Sequence, residues 1–464
     1  MKKTIRLTVT SVLALLGALP AKAVAQTAPQ APPVVDQGST AQTPPPPVVR
    51  PRRPYRGLFG GSESGVGANG LGLSVSGFGG YDDNVVADQP GSVGARQPVA
   101  GTYGGMNTSL EYRVMKERSR FMAIGGTELR FYEENLAPTS FSQWVDLAAT
   151  VPLGRRFTFV GTHSAAHSPY YQMGFLPGLP SQEFAGEPAI EPFDVDLGVT
   201  AIETYRYDAS LRLQQEINRT SELRYEYALS YTDFQEDFGD THMQRAGVGY
   251  TRHVSRYGTL RLGYAYQEGE SGFESPQATK LHLLDLGGGY SRPLSFSRRT
   301  TVAFSGGTAI VESALASRRY RFVGDASVHH EIGRTWLARA AYERNVGFVE
   351  AFPEPFYGSS TRGSLLGLVN RRVELTFEGG YANGHRLSVE EESPYSSVYA
   401  STEFRLALTR SMAWYVHYAF NKYTFSQSLD LPASLAPEFE RSTVRTGVSL
   451  WIPLFTPRTR DATR

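Results

Sequence analysis

The stretch 203–231 constrains the fold more than any other. Tyr205, Tyr207, Ala209, Leu211 and Leu213 alternate with Arg206, Asp208, Ser210 and Arg212. A polar segment, Gln215 to Ser221, separates this run from a second one. There Leu223, Tyr225, Tyr227, Leu229 and Tyr231 alternate with Arg224, Glu226, Ala228 and Ser230. Period-two alternation is the signature of a β-strand with one apolar and one polar face. Two such runs across a short polar turn predict a hairpin. Each run is about ten residues long, which is what a tilted strand needs to cross a bilayer. A soluble sandwich would bury the apolar face, whereas a membrane barrel turns it to lipid and keeps the charges in a wet interior.

Several other features favour the barrel. Hydrophobic residues make up 41% of the 464, and beyond the N-terminus there is no apolar run long enough for a membrane-spanning helix. Barrel strands do not need one, because alternation hides their hydrophobicity. The 47 glycines and 26 tyrosines suit tight turns and interfacial aromatics. Cysteine is absent, which excludes disulfides, thiolate metal sites, a cysteine nucleophile and a lipid-bearing cysteine. The formal net charge of +1 gives no electrostatic reason to expect nucleic acid as a partner.

The chain divides into four parts. Lys2, Lys3 and Arg6 precede an apolar stretch from Leu7 to Leu19, and small residues follow at Ala21, Ala23 and Ala25. This predicts a secretory signal peptide over residues 1–25. Residues 26–57 are rich in Pro, Ala, Gln and Val and end in Arg50, Arg52, Arg53 and Arg56. Such a segment favours extended polyproline conformations over a core, as a periplasmic leader or as a tether to the cell wall. Residues 58–455 are expected to form the barrel, and 456–464 a basic periplasmic tail.

Within the barrel, alternating runs predict about eighteen antiparallel up-and-down strands, with sixteen as the alternative. Short connections such as Leu153–Arg156, Asn370–Arg372 and Thr409–Ser411 take turns with long ones at 82–100, 166–195, 268–278, 347–360 and 425–440. Short periplasmic turns and long outer loops are the outer-membrane pattern. An even count puts both termini in the periplasm. Short turns are basic, with Lys116, Arg118, Arg155, Arg156, Arg219, Arg298, Arg299, Arg334, Arg371 and Arg372. Long loops carry the acids, among them Asp82, Asp83, Glu236, Asp237, Glu270, Glu390, Glu391 and Glu392. Basic turns gain a modest attraction to an anionic leaflet. The expected surroundings are outer-membrane lipid and lipopolysaccharide, with exopolysaccharide or peptidoglycan as further partners.

The final run contains Gly447, Leu450 and Ile452 in a polar-x-Gly-x-x-apolar-x-apolar arrangement. It resembles the C-terminal signal read by the barrel-assembly machinery, although here a basic tail follows Phe455. The stretch Ser74 to Val85, most specifically Gly80-Tyr81-Asp82-Asp83-Asn84-Val85, resembles the opening strand of the outer-membrane "beta-barrel porin 2" family. That resemblance implies a single barrel over roughly residues 70–455, and for some members an association with exopolysaccharide export.

Candidate chemistry lies on the polar face. Expected pore-lining residues are Glu111, Arg113, Glu128, Arg130, Arg206, Asp208, Arg224, Glu226, Arg319, Arg321, Asp325, Arg339, Glu343, Glu374, Glu378, Glu403 and Arg405. About eighteen strands enclose a channel wide enough for water, so these side chains would border a path for ions, small polar solutes or polysaccharide. The bland alternative is a wall stabilised by its own ion pairs, in a closed structural or adhesion barrel. A constriction loop is expected in 166–195, carrying Tyr170, Tyr171, Phe175, Glu183, Phe184, Glu187 and Glu191. Folded inward it narrows the pore and favours cations; left outside it is a surface loop.

Catalysis is disfavoured by geometry. His163-Ser164 and His167-Ser168 suggest a hydrolase, but neighbours on a strand point to opposite faces. His329-His330 fails as a metal pair for the same reason. Asp82-Asp83-Asn84 lacks calcium-loop spacing, and the glycines of 57–72 precede a strand and not a helix. No cofactor or metal is expected.

Overall fold

The computed structural model describes residues 69–85, 100–116, 119–133, 139–169, 202–234, 240–271, 279–294, 297–313, 316–333, 335–348, 355–386, 395–426 and 437–455. The expected signal peptide, Pro-rich leader and basic tail lie outside them. The first strands are β1 (Gly70–Asp82), β2 (Gly101–Met115), β3 (Arg120–Tyr132), β4 (Ser140–Pro152), β5 (Phe157–Ser168) and β6 (Thr204–Asn218). The middle ones are β7 (Ser221–Phe234), β8 (Thr241–His253), β9 (Gly258–Ser271), β10 (Thr279–Leu294), β11 (Ser297–Ser313) and β12 (Ala316–Ile332). The last are β13 (Trp336–Phe348), β14 (Pro355–Leu368), β15 (Val373–Arg386), β16 (Tyr395–Ala407), β17 (Met412–Phe425) and β18 (Glu438–Phe455).

Each strand pairs antiparallel with the next, and β18 returns to pair with β1. The result is a closed 18-stranded up-and-down β-barrel. Closure leaves no sheet edge at the β1–β18 join, and the stagger follows from the register. Following direct partners from Leu73 leads to Leu110, Gly125, Val145, Ala165, Tyr207, Tyr231 and His242. That path starts near the base of β1 and reaches the second residue of β8, at the far rim. The strands are therefore tilted, as closure at this size requires, by roughly 35–45°.

The register also sorts the faces. Tyr207, Leu211, Tyr225, Tyr227, Val248, Leu262 and Leu286 share one face and are exposed. Side chains on the opposite face cover one another; Arg130 and Asp82 there are 0% exposed and Arg441 is 1% exposed. The apolar face is thus the outside of the cylinder and the polar face the inside. Outer aromatics gather near both rims, with Tyr112 against Phe121 and Phe404 against Trp414 toward the short turns, and Tyr207 against Tyr231 toward the long loops.

Short turns fall where alternation stops. Leu153 N donates to Phe157 O at 2.8 Å across the β4–β5 turn, where Gly154 has φ 100°. In the β14–β15 turn, Asn370 Oδ1 accepts from Arg372 N at 2.7 Å and Val373 N at 3.0 Å, so one side chain holds the bend. Some boundaries differ from expectation. The central hairpin turn is only Arg219–Thr220, because Gln214 and Glu216 continue the inner face as polar strand residues. The expected loop 347–360 shrinks, since β14 starts at Pro355, and Glu270 lies in β9. Arg298 and Arg299 belong to β11 rather than to a turn. The β11–β12 connection, at the long-loop rim, spans only residues 314–315 and breaks the alternation of lengths.

Candidate functional site

The barrel interior is the candidate site. The register places all the expected pore residues on the inner face: Glu111, Arg113, Glu128, Arg130, Arg206, Asp208, Arg224, Glu226, Arg319, Arg321, Asp325, Arg339, Glu343, Glu374, Glu378, Glu403 and Arg405. Residues two apart on a strand share a face, and many of these charges pair that way. Arg130 Nε donates to Glu128 Oε1 at 2.7 Å, Arg206 Nε to Asp208 Oδ2 at 2.7 Å and Arg405 Nη2 to Glu403 Oε1 at 2.7 Å. Glu111 and Arg113 form another such pair. Across strands, Arg245 Nη2 reaches Glu226 Oε1 at 2.9 Å. Both signs are interspersed around the wall, so the interior is polar without a single dominant charge.

The same face holds residues that the sequence reading left out, including Asp146, Arg245, Arg261, Arg362, Arg441 and Arg445. Strand parity was the signal that could have found them. Aromatics also occur inside, where only outer ones were expected. Phe78, Tyr103 and Tyr415 form a buried cluster with Tyr132 against it, and the Arg130 guanidinium lies 4.8 Å from the Tyr103 ring centre. Near the long-loop rim, the Tyr395 ring lies 5.5 Å from Phe425 and 6.3 Å from Phe356, and Tyr423 lies 6.3 Å from Phe439.

Glycine makes room for these rings. A Cβ on Gly80 would come closer than 3.0 Å to Tyr103, and likewise Gly105 to Phe78, Gly126 to Trp144, and Gly380 to Tyr399. Each of these glycines sits directly opposite its aromatic partner. Among the described glycines, only Gly154 and Gly333 have positive φ. At these four positions glycine is therefore a slot for a cross-strand ring rather than a turn residue.

Gly80 to Val85 closes the cylinder. Asp82 is the last residue of β1 and not a loop residue. It accepts from Arg441 Nε at 3.0 Å (Oδ2) and 3.3 Å (Oδ1), and from Arg441 Nη2. Asp83 Oδ1 accepts from Ser442 N at 2.7 Å, and Asn84 Nδ2 donates to Glu440 O at 3.2 Å. Asp82 is thus committed to an arginine rather than placed for a metal ion. Gly447 packs inside against Tyr415 and Phe78, while Leu450 and Ile452 point outward. The constriction-loop residues Tyr170, Tyr171, Phe175, Glu183, Phe184, Glu187 and Glu191 lie outside the described residues.

The hydrolase candidates separate as strand geometry requires. Ser164 Oγ donates to Asp146 Oδ1 at 2.7 Å inside, while His163 points outward. His167, also outward, bonds Glu203 Oε1 at 2.8 Å. His330 bonds Thr300 Oγ1 at 2.6 Å on the face opposite His329. Among the described residues, no group of three His, Cys, Asp or Glu side chains could hold a metal ion.

No family model matches the chain, and no curated protein does. Among solved structures, OccK11 (OpdR) of Pseudomonas aeruginosa is similar at 10% identity and TM-score 0.41, covering 87% of this chain and 99% of its own. OpdQ of the same organism gives 11% identity and TM-score 0.42, covering 83% and 98%. The siderophore receptor PirA of P. aeruginosa gives 8% and 0.37, covering 83% and 80%. Likeness at this level assigns no activity, and the closed ladder alone carries the fold.

Proposed function

We propose that this chain is an outer-membrane channel of a Gram-negative bacterium, passing ions and small polar solutes along its charged interior. One observation carries the reading. A closed 18-stranded ladder puts large exposed apolar side chains on its outer face and ionised ones on its inner face. Leu286 is 61% exposed on the outside, whereas Arg130 is 0% exposed on the inside. Such an outer face is stable only against hydrocarbon. Barrels of 16–18 strands leave an aqueous channel. The secretory signal and the terminal Gly447-x-x-Leu450-x-Ile452 pattern support export and machinery-assisted insertion.

Lipid and lipopolysaccharide would meet the outer aromatics, and both termini would face the periplasm. Passage of exported polysaccharide is the wider form of the proposal. The test is reconstitution into planar bilayers and into liposomes swollen with sugars of graded size. Stepwise conductance with a size cutoff is expected. A folded barrel without conductance would overturn the channel and leave a structural or adhesion role.

A further inference from the structure

One ladder of the barrel wall stops well short of the long-loop rim. The β12–β13 ladder runs from Ile332–Trp336 only as far as Gly324–Arg344. Above that level β12 still pairs with β11, up to Ser313–Ala316, and β13 still pairs with β14, up to Phe348–Pro355. The two halves of the wall part company but do not leave a gap. Tyr342, Arg344 and Val346 alternate onto the outer face, and Tyr342 is 42% exposed there. Yet Val346 is 0% exposed and its partner Tyr357 6%. Both belong to a cluster with Leu281, Leu283, Ala309 and Val311, which lie on the inner face of β10 and β11. Outer-face residues pack on inner-face residues only if one wall section overlaps the other. The tops of β13 and β14 therefore tuck behind β10–β12.

Tyr357 fastens the overlap. Its hydroxyl donates to Phe322 O, on the β12 stretch above the ladder, at 2.8 Å. Its ring lies between two cations, 4.7 Å from the Arg344 guanidinium and 5.4 Å from that of Arg321. The patch beneath is aliphatic, set apart from both the charged and the aromatic parts of the inner face.

We propose that this seam is a lateral portal between the barrel interior and the outer leaflet, taking anionic amphiphiles. This rests on the membrane-barrel reading above. When Tyr357 releases Phe322, the aliphatic patch offers a surface for an acyl chain. Arg321 and Arg344, freed from the Tyr357 ring, offer charge for an anionic headgroup.

The absence of cysteine allows a direct test. A bimane label is placed on Leu283→Cys, inside the seam, or on Ser230→Cys, inside the intact β6–β7–β8 wall. The labelled protein is reconstituted into bilayers containing nitroxide-labelled phosphatidylglycerol or phosphatidylcholine. Quenching is expected to be several-fold stronger at Leu283 than at Ser230, and stronger with phosphatidylglycerol. Tyr357→Phe should raise it further, by up to about fivefold in open population, the worth of one hydrogen bond. Equal quenching at the two sites would overturn the portal. Equal quenching by the two lipids would overturn the preference for anions, and an unchanged Tyr357→Phe signal the latch. If the Leu283 variant fails to fold, Ala309→Cys reads the same patch. Loss of conductance in the same preparation would count against the channel alone, because quenching needs no ion flow.

Discussion

Replacing Asp82 by alanine should destabilise the barrel at its closing joint. Asp82 and Arg441 are 0% and 1% exposed and joined by Nε contacts of 3.0 and 3.3 Å. At 3.0 Å and an effective dielectric constant near 20, their attraction is about 5–6 kcal/mol. Desolvation costs several kcal/mol for each ion, so the intact pair nets little. Asp82→Ala removes the attraction but leaves the Arg441 charge buried, which should cost about 3–5 kcal/mol. Arg441→Met should cost a similar amount by stranding Asp82. In the double variant neither buried charge remains, and most of the loss should be regained. The assay is urea unfolding of the refolded protein in micelles, followed by intrinsic fluorescence, across the full double-mutant cycle. A coupling below about 0.5 kcal/mol would refute the reasoning, since independent sites add to within that margin.

Three further outcomes are expected. Leu211→Arg, on the outer face, should cost about 2–4 kcal/mol in bilayers if it lies near the midplane, while Ser210→Arg, on the inner face, should be tolerated; equal losses in refolding titrations would contradict the face assignment. Gly126→Leu or Gly380→Leu should cost about 1–3 kcal/mol, because the new side chain must displace Trp144 or Tyr399; an unchanged urea midpoint would remove the slot explanation. Glu403→Lys together with Glu128→Lys should shift the reversal potential in a salt gradient toward anion preference. An unmoved potential would place those carboxylates off the conduction path.

The architecture was legible in the sequence wherever one face is greasy and the other charged. Residues 205–231 show this best, with Tyr207 and Leu211 outside and Arg206 and Asp208 inside. The signal weakened near strand ends. Gln215 and Glu216 read as turn because a polar strand residue bordering water looks like a loop residue. Pro355, Gly358 and Ser359 likewise hid the start of β14. Cross-strand relations were invisible, because partners such as Asp82 and Arg441 lie far apart in the chain. The same holds for Gly105 and Phe78, whose fit depends on register. The overlap at Val346 and Tyr357 contradicts strand parity, so no periodicity could have revealed it.

The central claim is that the apolar outer face meets lipid while the charged inner face meets water. Nitroxide labels on single cysteines at Leu211, Val248 and Leu262, and at Ser210, Ser230 and Gly247, would measure it in proteoliposomes. The outer set should collide readily with oxygen and hardly with a water-soluble nickel chelate, and the inner set should do the reverse. Indistinguishable collision rates for the two sets, or an inverted pattern, would contradict the account.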